Sequence, residues 1–177
     1  NAAGPVVALA PGAGWPGKIW PVERMGEVAK RLREEQGARI VVLGSAAERN
    51  LADEVARVAG APILNLAGRT TLGQAAAVIR QARLFVGNDS GPLHFAACFD
   101  TPSLALFGPT IASKWAPRGP RHRHLQKGYS CMGCVSWHPA AACQHDGACM
   151  KLIEVDDVVA QATELLREPA AGTKGSL

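Results

Sequence analysis

No apolar run in this chain approaches the roughly 18 residues that a membrane-spanning helix needs. No secretory signal is visible, which points to a cytoplasmic, reducing setting. Aromatic residues make up only 5% of the chain against 47% hydrophobic residues in all, so the core has to be built from alanine, valine and leucine. Small aliphatic side chains of this kind suit helices packed on a parallel sheet. Five cysteines cannot pair evenly, and this favours thiols or a metal over a disulfide framework. There is no Asp-x-Asp pair to hold a divalent cation. Excess charge is scarce too: a net +4 fits an anionic ligand or surface and gives no reason to expect nucleic acid. The start is not Met but Asn1-Ala2-Ala3-Gly4, as in a trimmed chain.

What is present is a regular alternation. At 177 residues there is room for one compact domain. Short apolar runs at residues 6–10, 39–44, 63–66, 84–87 and 103–107 read as buried strands. Between them, apolar residues recur at helical spacing: Val22, Met25, Ala29 and Leu32 after Pro21, then Leu51, Val55 and Val58. Ser45-Ala46-Ala47-Glu48 and Thr71-Leu72-Gly73-Gln74 have the spacing of capping boxes. Asp89-Ser90-Gly91-Pro92 opens another helix, with Leu93, Ala96 and Ala97 expected inward. A closing amphipathic helix is expected from Glu154 to about Arg167, then a disordered tail at 169–177. The pattern predicts an α/β fold with a Rossmann-like parallel sheet and helices on both faces. In such sheets ligands bind beyond the carboxyl ends of the strands. The basic cluster Arg118, Arg121, His122, Arg123 and His124 reads as a solvated loop, with a phosphate-facing patch as the alternative.

Two of those carboxyl-end loops carry chemistry. The first, residues 11–18, contains G-x-G-x-x-G at Gly12, Gly14 and Gly17. A nicotinamide site would begin its helix within those glycines and place an acidic residue at the end of the second strand. Here Pro16 interrupts the turn and the second strand runs into Gly44-Ser45, so that reading is rejected. What remains is a flexible loop whose N–H groups can approach an anion, with Lys18 as a point charge for phosphate. The alternative is a plain turn with a solvated lysine. The second loop, residues 87–94, joins a strand directly to a helix, whose N-terminus attracts a diphosphate. Asp89 and Ser90 are also ordinary N-cap residues, and His94 reads equally well as a packed histidine.

The segments PGAGWPGKIWP, VVLGSAAE, NLAGRTTLGQAAAVI, FVGNDSGPLHFAA and TPSLALFGPT follow one another in order. Together they resemble the C-terminal domain of glycosyltransferase family nine, the lipopolysaccharide heptosyltransferases, nearest the heptosyltransferase II branch. The resemblance runs from about Val6 to about Leu166 and rests most on Asp-Ser-Gly-x-x-His combined with Lys-x-Trp-Pro. It implies the C-terminal half of a GT-B enzyme, residues 1–168, with the active site in a cleft against an N-terminal acceptor domain outside this chain. It implies an inverting transfer of heptose from ADP-heptose to the lipopolysaccharide inner core at the cytoplasmic face of the inner membrane of a Gram-negative bacterium, where peripheral membrane contact is expected. By the same resemblance Lys18 contacts the donor phosphates, Ala13 and Gly14 serve through their backbone, and Glu48 holds the ribose. Asp89, Ser90 and Gly91 meet the diphosphate and sugar, and His94 lies beside the phosphates. The catalytic base belongs to the other domain; within this chain Asp89 is the one candidate, and the chain alone is expected to be inactive. No cofactor is expected to be required.

Cys131, Cys134, Cys143 and Cys149 form C-x2-C-x8-C-x5-C, with His138 and His145 inside it. The first pair has zinc-ligand spacing and the second half is irregular. A structural zinc, disulfides formed on purification and free thiols all remain open. Cys98 reads as a small core residue. Two other functions stay in play: a GT-B transferase using another nucleotide sugar, and a non-catalytic metal-binding interaction module.

Overall fold

The computed structural model describes residues 4–60, 62–134 and 143–169. Six parallel strands form one sheet: β1 (Val6–Ala10), β2 (Arg39–Val42), β3 (Leu64–Asn65), β4 (Leu84–Asn88), β5 (Ser103–Phe107) and β6 (His122–Gln126). Their spatial order is β3-β2-β1-β4-β5-β6. The chain therefore starts in the middle, winds outward to β3, then returns to lay β4 on the other side of β1. At such a reversal the loops after two neighbouring strands diverge and leave a crevice. Here those strands are β1 and β4.

Successive strand residues point to opposite faces, and two separate cores result. Val7, Leu9, Ile40, Val42, Leu84, Val86, Leu104 and Leu106 pack on one face under α1 (Val22–Gln36), α2 (Arg49–Ala59) and α7 (Val155–Arg167). Ala8, Ala10, Val41, Leu43, Phe85, Ala105 and Phe107 pack on the other under α3 (Leu72–Gln81) and α4 (Gly91–Cys98). The α1 helix stops at Gly37, which takes the left-handed φ of 62°. Helix α3 starts at its capping box, where the Thr71 N–H donates to Gln74 Oε1 at 2.9 Å and the Gln74 N–H to Thr71 Oγ1 at 3.3 Å. Trp20 is fully buried, and its indole N–H donates to the Ile153 carbonyl at 3.1 Å. Arg24 bonds the Lys151 and Ile153 carbonyls. The loop after β1 is thus tied to the chain just before α7.

Several expectations need correction. The second and third strands are shorter than expected, and Leu64 at the sheet edge is half exposed. A sixth strand and the short helices α5 (Ala112–Trp115) and α6 (Ala148–Lys151) were not anticipated. Strand β6 hides because His122-Arg123-His124-Leu125-Gln126 has almost no apolar content. It pairs with β5 all the same, and its polar side chains find partners. Ser103 Oγ lies 2.9 Å from His122 Nδ1, Arg121 meets Asp100, and Arg123 bridges Glu164 and Glu168. Most of that basic cluster is therefore structural and neither loop nor phosphate patch. Burial pushes the His122 imidazole below its usual range; Asp100 opposes the shift and Arg121 adds to it. Ala97 is only half-buried and Cys98 is exposed, because α4 turns that side outward. The expected tail beyond Pro169 lies outside the described residues.

Candidate functional site

The β1 and β4 loops meet at the crevice, and a buried amide holds them together. Asn88 is the last residue of β4 and fully buried. Its Nδ2 donates to the Pro11 carbonyl at 2.7 Å, and its Oδ1 accepts from the Trp20 N–H at 3.2 Å. Next to it, Asp89 is 6% exposed, and its Oδ2 accepts from Lys18 Nζ at 2.8 Å. The lysine comes from the 3-10 turn Pro16–Lys18, which is set by Pro16 at its first position.

Beside this ion pair lies a cavity of about 470 Å³. Its polar wall includes Gly12, Ala13, Gly14, Ser45, Glu48, Ser90 and Gly91. Leu43, Leu72, Ala75, Ile79, Pro92 and Phe95 make an apolar wall, and Thr70 and Thr71 stand nearby. Gly12 leaves room for Glu48: a Cβ on it would fall 1.9 Å from Glu48 Oε1, and the glutamate side chain would have to move. The glycine loop and the β2–α2 connection are therefore in direct contact. Glu48 Oε2 accepts from the Ser45 N–H at 2.7 Å, so one oxygen serves the turn Ala46–Glu48 while the side chain still faces the cavity. The capping role and the site role are compatible in one carboxylate. Gly91 has nothing within 4 Å of where a Cβ would stand, so no neighbour in the fold demands a glycine there.

Of the eight site residues read from the sequence, Ala13, Gly14, Glu48, Ser90 and Gly91 line the cavity. Lys18 and Asp89 pair with each other at its flank. His94 is on the exposed side of α4 and is not part of the cavity wall. Sequence reasoning missed Asn88, read only as part of a motif, and the apolar wall. Leu72 carried a usable signal: it is an apolar residue at the first position of a capped helix, 70% exposed and at the cavity mouth.

Against known proteins, the family model for glycosyltransferase family 9 (heptosyltransferase) matches residues 1–144. The chain belongs to glycosyltransferase family 9. Among curated relatives, lipopolysaccharide heptosyltransferase 2 of Salmonella typhimurium is 38% identical over 111 residues, 60% of this chain and 32% of that protein. Lipooligosaccharide heptosyltransferase 2 of Campylobacter jejuni is 30% identical over 170 residues, 92% of this chain and 51% of that protein. Among solved structures, E. coli ADP-heptose lipopolysaccharide heptosyltransferase II superposes with a TM-score of 0.77 at 28% identity, covering 94% of this chain and 47% of that one. The family 9 chain thus spans about half the length of its relatives or less, and the sheet described above is a GT-B half.

The cysteines of this family 9 chain are free thiols. Burial pushes the Cys149 thiol up, and the neighbouring Cys143, Cys131 and Cys134 add to it; burial and then Cys131 and Cys143 do the same for Cys134. Among the described residues no group of three or more His, Cys, Asp or Glu is placed to hold a metal ion. The structural-zinc expectation at Cys131, Cys134, Cys143 and Cys149 finds no support there; His138 lies outside the described residues. A thiol reagent at pH 7.5 is expected to modify exposed Cys98 and Cys143 first and buried Cys149 only on unfolding. Mass mapping of the labelled native protein checks this, and early labelling of Cys149 would contradict the buried placement.

Proposed function

We propose that this chain is the donor-binding half of an inverting heptosyltransferase, which takes heptose from ADP-heptose to the lipopolysaccharide inner core. The observation that carries the reading is the pairing of Lys18 with Asp89 beside a cavity at the β1/β4 reversal. The cavity has an apolar wall for a nucleobase and a carboxylate, Glu48, within its lining for ribose hydroxyls. Ala13 and Gly14 supply backbone groups, and Ser90 and Gly91 bring the first turn of α4 toward the diphosphate. The names of the relatives in family 9 supply heptose as the sugar and lipopolysaccharide as the acceptor.

In this reading the acceptor oxygen attacks the anomeric carbon as the bond to ADP breaks, in one inverting displacement. The acceptor proton passes to a base on the partner half of the cleft. The donor half stabilises the negative charge that builds on the departing diphosphate, through Lys18, backbone N–H groups and the α4 terminus. His94, exposed on α4 and outside the cavity wall, is the weakest of the phosphate-side assignments. The reaction takes place at the cytoplasmic face of the inner membrane, where the acceptor lipid is held.

Calorimetric titration with ADP tests the donor reading. Saturable one-site binding is expected, with UDP and GDP binding more weakly. Tighter binding of another nucleotide would favour a GT-B transferase for a different donor, and binding of none would overturn the reading. Incubation with ADP-heptose and acceptor is expected to give no transfer by this half alone.

A further inference from the structure

We propose that Asn88 is the positioning residue of the diphosphate subsite: it fixes the glycine-lysine loop against the fourth-strand turn without touching the ligand. The proposal rests on the donor-site reading above. Three facts carry it. The side chain is fully buried, so it is shielded from anything in the cavity. Its amide bonds both ends of one loop: the Pro11 carbonyl at 2.7 Å and, at longer range, the Gly12 carbonyl at 3.4 Å at one end, and the Trp20 N–H at 3.2 Å at the other. Between those ends stand site residues: Ala13 and Gly14 on the cavity wall, and Lys18 against Asp89.

The residue type follows from this arrangement. The loop offers acceptors at one end and a donor at the other, and all sit where water does not reach the amide. A carboxamide answers both from one side chain, with a two-proton donor and an acceptor side by side. A carboxylate would turn its oxygens on the Pro11 and Gly12 carbonyls, and an apolar residue would leave buried backbone groups unpartnered. Asparagine at the last position of β4 has the reach, because β4 pairs with β1 up to Ala10, one residue before Pro11. The same backbone step then delivers Asp89 to Lys18. Both charged groups of the subsite are thus placed from one point.

The apolar side of the cavity is built differently. Leu43 follows β2 directly, Leu72, Ala75 and Ile79 come from α3, and none bonds Asn88. Loosening the loop should therefore damage phosphate recognition and spare nucleoside recognition. A residue with a merely structural role would weaken both together.

The test is a comparison of ADP and adenosine affinities in wild type, Asn88→Asp and Asn88→Ser, with urea unfolding of each. Both variants are expected to bind ADP about tenfold or more weaker, while adenosine affinity stays within about twofold. Parallel losses for both ligands, or unchanged ADP affinity, would overturn the proposal. Failure of the wild type to bind ADP would instead overturn the donor-site reading. Hydrogen exchange on the unliganded wild type needs no variant: the Trp20 amide should exchange slowly, and exchange at the rate of an open loop would show that the staple is not made.

Discussion

Trp20→Ala is expected to lower the unfolding free energy by about 3–5 kcal/mol, the usual cost of deleting a fully buried large aromatic side chain. Trp20 is among the largest fully buried side chains, and it packs in the core under α1 and α7. The deletion leaves a void between elements that are fixed independently, α1 by its packing and α7 by the sheet, so collapse around it is limited. The lost indole N–H adds little. Its acceptor, the Ile153 carbonyl, still accepts from Arg24 Nη1 at 2.6 Å. Trp20→Phe should accordingly cost much less than Trp20→Ala, since it keeps most of the volume and removes a bond whose acceptor stays satisfied. Urea unfolding measures both. For a chain of this size the alanine variant should melt roughly 6–20 °C lower. A loss below about 1 kcal/mol would mean that the tryptophan is not in the core.

The sequence was legible where pattern and physics agree. Four of the five apolar runs, with the helices between them, specify the central strands β1, β2, β4 and β5, because a strand buried on both faces must be continuously apolar. Strand β6 was not legible for the converse reason. At the edge of the sheet beside β5, it satisfies its polar side chains with Ser103, Glu164 and Glu168, partners that only the tertiary fold brings near. The site shows the same division. Gly12, Lys18 and Asp89 announced themselves by residue type and position after a strand. Asn88 did not, because its importance lies in bonds to residues more than sixty positions away. The cysteine spacing suggested zinc, yet among the described residues no three such ligands gather around one point.

Lys18→Ala should weaken ADP binding by roughly ten- to a hundredfold, equivalent to about 1.5–3 kcal/mol for one charge-assisted contact. The ion pair makes the argument more specific. The ammonium is bonded to Asp89 at 2.8 Å, so the flank of the cavity carries one positive and one negative charge. A diphosphate must share the lysine with that carboxylate. Lys18→Ala removes the attraction and leaves Asp89, nearly buried, as an unscreened negative charge beside the incoming phosphates. Asp89→Asn does the reverse: it frees Lys18 and should tighten ADP binding. The double variant should fall between Lys18→Ala and wild type, because the repulsion left by the first change is gone. ADP-heptose separates a second role for Asp89. If its carboxylate accepts hydrogen bonds from sugar hydroxyls, Asp89→Asn will tighten ADP and weaken ADP-heptose; if it only restrains Lys18, both ligands will tighten. Titrations of the four proteins with the two ligands, at fixed low salt, distinguish these outcomes. Wild-type affinity for ADP in Lys18→Ala would remove the lysine from the site and leave its bond to Asp89 as a purely structural clasp between the two loops.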